Sequence, residues 1–160
     1  MACSFVIIAN SFNDPAQGTI VFHMNIHYLQ HVEFEGLGSM ESFLLSKGHQ
    51  LPATHLYKGD SLPAIDDIEL LIVMGGPMGI YDEDEYPWLA EEKQFIKNAI
   101  GQAKKVLGIC LGAQLIADVM GAKISKNPHR EIGWFKLTPN AALKDSILAT
   151  ALPHEIEAFH

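Results

Sequence analysis

The residues best suited to chemistry in this chain lie in Lys105-Val106-Leu107-Gly108-Ile109-Cys110-Leu111-Gly112-Ala113-Gln114. An apolar strand pattern runs into a cysteine with a glycine two places before it and another two places after, and a helical pattern begins at once. This is the spacing of a nucleophile elbow with Cys in place of Ser. A chain that reverses sharply at Cys110 leaves little room for a Cβ at Gly108 or Gly112. Cys110 would stand above a sheet at the N-terminus of the next helix, where the helix dipole and unpaired amides favour the anionic, nucleophilic thiolate. The Leu111 N–H would point where an oxyanion could form. The alternative is that Cys110 is a small buried hydrophobe, as solitary cysteines in apolar runs commonly are.

A second loop bears on the same chemistry. Glu69-Leu70-Leu71-Ile72-Val73-Met74 is a near-continuous apolar run, as expected of a parallel strand covered on both faces. It ends in Gly75-Gly76-Pro77-Met78-Gly79, whose glycines let the backbone approach a ligand and aim N–H groups at it. A tight strand-to-helix turn would use the same glycines. It is not a phosphate loop, because no Gly-Lys-Ser/Thr follows and Gly-x-Gly-x-x-Gly is absent. Both loops stand at the carboxyl ends of predicted strands, the edge at which open α/β sheets bind ligands.

The elements that must position these loops follow from periodicity. Asn25 to Gln30 reads as the first strand of an α/β unit. Ser39 is the expected N-cap of a helix with Met40, Phe43 and Leu44 on one face, and Gly48 suits its C′ position. His49 to Tyr57 is a candidate second strand, in which Pro52 suits an edge or an irregular start. A helix from about Pro87 carries Trp88, Glu92, Phe95, Ile96, Ala99 and Ile100 at helical spacing, and Gly101 ends it. The elbow helix carries Leu115, Ile116, Val119 and Met120 up to Gly121. Ile132 to Leu137 and Glu155 to His160 read as strands, and Ser146 to Leu152 as a short helix. Trp134 and Phe135 are expected in the core. Strand–helix alternation of this kind implies an α/β fold: a doubly wound, mostly parallel sheet with helices on both faces. Residues 1–23 fit less well. Phe5 to Ala9 and Gly18 to Phe22 have strand character, but the regular pattern starts at Met24, so 1–23 reads as an extension and 24–160 as the domain.

Totals restrict the function. A formal net charge of −8 argues against a general nucleic-acid or anionic-membrane surface. Two cysteines, Cys3 and Cys110, make neither a disulfide framework nor a zinc knuckle and suit the cytoplasm. No apolar run approaches the roughly 18 residues of a membrane span, and no signal-peptide pattern opens the chain. His23, His27 and His31 would align as metal ligands only on a helix, and the local pattern is that of a strand. No metal and no cofactor is therefore expected. Asp82-Glu83-Asp84-Glu85 reads as a solvated run favouring the helix that follows, with a lid or docking role as the alternative. Arg130 and Glu131 are candidates for a pocket mouth.

Gly75-Gly76-Pro77 after an apolar strand, followed by Gly108-Ile109-Cys110-Leu111-Gly112-Ala113-Gln114, resembles the class I (triad) glutamine amidotransferases, particularly the stand-alone proteins similar to the amidotransferase domain of GMP synthase. The resemblance spans about Met24 to His160. It implies a flavodoxin-like layering and hydrolysis of the glutamine side-chain amide through a Cys110 thioester, with release of ammonia. It also implies oxyanion contacts from Leu111 and Gly76 in the loop opened by Gly75, and a substrate contact from Gln114. The implied substrate is glutamine or a γ-glutamyl amide, and the implied partner a synthetase or other acceptor enzyme. Family members use a His as acid/base with a Glu two residues later, in a His-Gly-Asp stretch after a strand like 155–160. On that pattern His160 is the preceding, non-catalytic His, with His160 itself as the base the alternative, and Glu155 and Glu157 fall in the wrong order. The domain is thus expected to be C-terminally incomplete and the 160-residue chain impaired as an enzyme. A non-catalytic binding module and a DJ-1/PfpI-like cysteine protein are the alternatives. In the latter, His commonly follows the Cys, where this chain has Leu111.

Overall fold

The computed structural model describes residues 6–9, 24–126, 128, 132–138 and 155–159. The elements in order are β1 (Val6–Ala9), β2 (Ile26–Gln30), α1 (Ser39–Ser46), β3 (Ala53–His55), β4 (Leu70–Val73), α2 (Trp88–Gly101), β5 (Lys105–Ile109), α3 (Leu111–Val119), β6 (Trp134–Leu137) and β7 (Ile156–Phe159), with a 3-10 turn at Leu56–Lys58. The main sheet has the order β1-β5-β4-β2-β3. Strands β5, β4, β2 and β3 run parallel, and β1 joins β5 antiparallel, with Val6 opposite Ile109 and Ala9 opposite Val106. This is the mostly parallel α/β sheet that the alternation implies.

Each face of the sheet has its own core. Leu71 and Val73 of β4, with Leu29 and Val106, pack against Leu89, Phe95 and Ile96 of α2 and Leu115 and Ile116 of α3. The alternate residues Ile72 and Met74 turn to the other face, where Ile26, Leu37, Met40 and Leu44 meet them. That two-faced burial is why the β4 sequence is apolar without alternation. β3 is an edge strand, and Pro52 lies just before it with its carbonyl accepting the Tyr28 N–H at 3.1 Å.

The structure revises several local expectations. Gly38, at φ 56°, is the N-cap of α1, and Ser39 is its first helical residue. Phe43 projects outward, because α1 rests on the sheet only along Met40 and Leu44. Trp134 and Phe135 are 70% and 39% exposed rather than core. They belong to β6, which pairs antiparallel with β7 in a separate two-stranded sheet, and such a ribbon has no second layer of its own to bury them. Gly18 to Phe22, Arg130, Glu131, Ser146 to Leu152 and His160 lie outside the described residues.

Candidate active site

β5 ends at Ile109, Cys110 follows, and α3 starts at Leu111. Cys110 has φ 51° and ψ −108°, one of two non-glycine residues with positive φ among those described. Such a backbone costs on the order of 1–3 kcal/mol and persists only where its surroundings impose it. Here they do. A Cβ on Gly108 would stand 2.6 Å from the Ala113 nitrogen, and one on Gly112 would overlap the Val73 carbonyl. The Gly112 N–H donates to the Met74 carbonyl at 3.1 Å, which ties the elbow to the end of β4. The strand-to-helix turn inferred from Gly-x-Cys-x-Gly is therefore present, and Cys110 is partly exposed with a free thiol.

The Gly75–Gly79 loop leaves β4 beside it. A Cβ on Gly75 would lie 3.5 Å from Cys110 Cβ, and one on Gly76 would lie 3.0 Å from Leu111 Cδ2. Among the described residues, no hydrogen bond satisfies the backbone N–H of Gly76 or Leu111. Gln114 sits one helical turn beyond the cysteine, half-buried, its own N–H bonded to the Cys110 carbonyl at 3.2 Å. Gly75, Gly76, Cys110, Leu111 and Gln114 thus gather at one end of β4 and β5. A separate cavity lined by His27, Gln50, Pro52 and Asp67 opens at the amino ends of the strands, away from the cysteine.

Three residues join this region that spacing did not reveal. Glu35 carries its carboxylate over Gly75, where Oε2 stands 2.5 Å from the position a Cβ would take. His31 and Glu92 are fully buried beneath the same loop. The His31 ring bonds the Gly75 carbonyl through Nδ1 and Glu92 Oε1 through Nε2, each at 2.8 Å, and stacks on Trp88 with centroids 5.4 Å apart. Both nitrogens face acceptors, so the imidazolium, which donates from both, satisfies both contacts. Burial by itself pushes His31 down. The Glu92 carboxylate, by hydrogen bond and charge, outweighs it with help from the Gly75 carbonyl and Glu35, and His31 is held above the usual histidine value. The sequence did carry one signal, a Glu on the apolar stripe of α2, which must find a partner when buried.

The other histidine of interest is structural. His27, in strand β2, bonds Thr54 Oγ1 at 2.9 Å through Nε2, and burial lowers its pKa. In the acidic run, Asp82 accepts the Gly79 N–H at 2.7 Å and Glu83 pairs with Lys93 at 2.6 Å.

A family model described as glutamine amidotransferase class-I matches residues 44–156. The chain belongs to the class-I glutamine amidotransferase family. It is 31% identical over 131 residues to the glutamine amidotransferase-like protein YfeJ of Salmonella typhimurium, covering 79% of this chain and 55% of that protein. It is also 31% identical over 104 residues to the glutamine-hydrolyzing GMP synthase of Geobacillus kaustophilus, covering 63% of this chain and 18% of the synthase. A crystal structure of a glutamine amidotransferase from Thermotoga maritima superposes with a TM-score of 0.80 at 31% identity, over 86% of this chain and 60% of that one. The chain spans a little over half the length of the YfeJ and Thermotoga amidotransferase relatives. Membership of the amidotransferase family fits an elbow built on cysteine with a Gly-Gly-Pro loop beside it. No helix among the described residues is long and apolar enough to cross a membrane.

Proposed function

We propose that this chain carries the nucleophile and the oxyanion loop of a glutamine amidase site. Cys110 attacks the side-chain amide carbon of glutamine or a related γ-glutamyl amide. The carbonyl oxygen takes the negative charge and rests on the N–H groups of Leu111 and Gly76, both free of partners among the described residues. Gln114 hydrogen-bonds the bound substrate. Collapse of the tetrahedral adduct breaks the C–N bond and releases ammonia, and water then cleaves the γ-glutamyl thioester. The observation that carries this reading is the positive φ at Cys110, enforced by Gly108 and Gly112, with Gly75 against the cysteine. The ammonia acceptor would be held by a synthetase-type partner, a reading supported by the GMP synthase likeness. Residues 24–160 carry this chemistry, and 1–23 are an appended segment whose strand β1 completes the sheet beside β5.

No histidine among the described residues bonds Cys110, and His31 is committed to Gly75 and Glu92. The direct test reads covalent capture of Cys110, which does not require turnover. A diazo-ketone analogue of glutamine should alkylate Cys110 and no other residue, with protection by excess glutamine, as located by peptide mass spectrometry. Absence of the adduct, or labelling that glutamine does not slow, would sink the amidase reading. Peroxide-selective oxidation of Cys110 without glutamine protection would favour the DJ-1-like alternative.

A further inference from the structure

The His31–Glu92 pair is expensive and otherwise unexplained. Both side chains are fully buried, 61 positions apart in sequence, and Glu92 Oε2 has no hydrogen-bond partner among the described residues. A buried ion pair is seldom more stabilising than well-packed apolar residues of the same volume. Fold stability is therefore a weak reason for keeping it, and a half-satisfied buried carboxylate calls for another reason. The geometry supplies one. His31 Nδ1–H donates to the Gly75 carbonyl at 2.8 Å. The Gly75–Gly76 peptide is trans, since no cis bond occurs among the described residues, so its carbonyl and its N–H point in opposite directions. With no Cβ at either residue, this peptide has little else to keep it from flipping.

We infer that His31, held by Glu92, is the positioning residue of the candidate oxyanion site: by gripping the Gly75 carbonyl it turns the Gly76 N–H outward, away from the core and toward the cysteine. The inference rests on the amidase reading above. Two elements hold the grip in place. Gln30 fixes the His31 loop by donating to the Val32 and Glu33 carbonyls at 2.8 and 3.0 Å. Trp88 and Glu92, one turn apart in α2, stack on the ring and bond its far nitrogen. The charged groups facing His31 are Glu92 from α2 and Glu35 from the loop after β2, and both favour its cationic form.

The test is acylation of Cys110 by a γ-glutamyl thioester with a chromogenic aryl thiol. The cysteine sulfur adds to the carbonyl carbon, the oxygen carries the charge, and the arylthiolate leaves without needing a proton. The full chain is used, and the burst of thiol gives the saturating acylation rate and the apparent affinity separately. His31→Leu/Glu92→Met removes both polar groups at once and leaves no buried charge. The expected result is an acylation rate lower by about 10²-fold, the usual cost of losing one oxyanion donor. Apparent affinity stays within about threefold. The thermal midpoint is expected to equal or exceed that of the wild type. Alkylation of Cys110 by iodoacetamide, which forms no oxyanion, is expected to be unchanged. His31→Asn/Glu92→Gln, which keeps an N–H near the Nδ1 position, should recover most of the rate.

His31→Leu/Glu92→Gln covers the case in which the apolar pair fails to fold: it too removes the donor to the Gly75 carbonyl and leaves no buried charge, and its acylation rate should fall by the same order. Glu92→Gln alone should keep the wild-type rate within about threefold at pH 8, because its amide N–H can donate to Nε2 and leave the Nδ1–H of neutral His31 on the Gly75 carbonyl. Acylation at the wild-type rate in either His31→Leu double variant, or a Glu92→Gln loss as deep as theirs, would overturn the inference and leave the amidase reading standing. Absence of any burst from wild-type protein whose Cys110 still reacts with iodoacetamide would instead remove the amidase reading, and this inference with it.

Discussion

At Cys110 the backbone and the chemistry are coupled. The residue adopts φ 51° because Gly108 and Gly112 let strand β5 and helix α3 close on each other and on Val73. Glycine at this position relieves that strain and alanine does not. Cys110→Gly is expected to be more stable than Cys110→Ala by about 1 kcal/mol, although glycine in an ordinary position would be the less stable of the two. Denaturant unfolding of the two variants decides the sign. His31 allows a second prediction. Its folded pKa lies above the ordinary value of 6.5, so the stability it contributes is complete below about pH 6.5 and is lost as pH rises through the folded value. The stability difference between wild type and His31→Asn/Glu92→Gln, in which neither member of the pair titrates, should therefore shrink on going from pH 6 to pH 9. His27, lowered by burial, acts in the opposite sense but is common to both proteins and cancels. A difference that grows with pH would exclude the imidazolium.

At the scale of elements, α2 does more than cover the sheet. Its first turns reach His31 through Trp88 and Glu92. Its next turn offers Lys93 to Glu83 at 2.6 Å and to Asp118 of α3 at 3.5 Å, with the Tyr81 ring 5.3 Å below the ammonium. Lys93 thereby pins the acidic segment after Gly79 to two helices. Lys93→Met keeps most of the apolar stem and removes the charge. It is expected to cost about 1 kcal/mol at low salt and less at 1 M salt, because partly exposed pairs are weak and screened. A loss that is the same at both salt concentrations would assign the effect to packing instead.

At the scale of the molecule, the main sheet places the elbow strand β5 between β4 and the antiparallel β1. Val6–Ala9 therefore shields an edge of the strand that delivers the nucleophile, although it comes from a segment set apart from the regular pattern. Four register pairs join β1 to β5, and the few backbone hydrogen bonds of so short a ladder, at about 0.5–1.5 kcal/mol each, amount to about 1–3 kcal/mol. Deleting residues 1–23 is expected to lower the unfolding free energy by that order and to promote self-association through the bared β5 edge. Urea denaturation and light scattering together would show it. An unchanged midpoint would mean that β1 adds nothing to the sheet.

Much of this was legible in the sequence because it depends on neighbours along the chain. Gly108, Cys110 and Gly112 specify the elbow by local sterics, and the unbroken apolar run of β4 announces a strand buried on both faces. Gly75-Gly76-Pro77 follows that strand directly, so its place at the sheet edge could be read from order alone. The family came from those same two stretches. What the tertiary structure alone decided was who meets whom across the chain. His31 looked like one of three evenly spaced histidines, and Glu92 like a polar break in an apolar stripe. Only the packing of α2 on the sheet joins them under Gly75. Trp134 and Phe135 have core composition, yet they lie exposed on a two-stranded ribbon, because burial depends on a covering layer that no local pattern encodes. Cys110 could thus be identified from its own neighbours, whereas the grip on the loop beside it needed a histidine and a glutamate brought together from 61 positions apart.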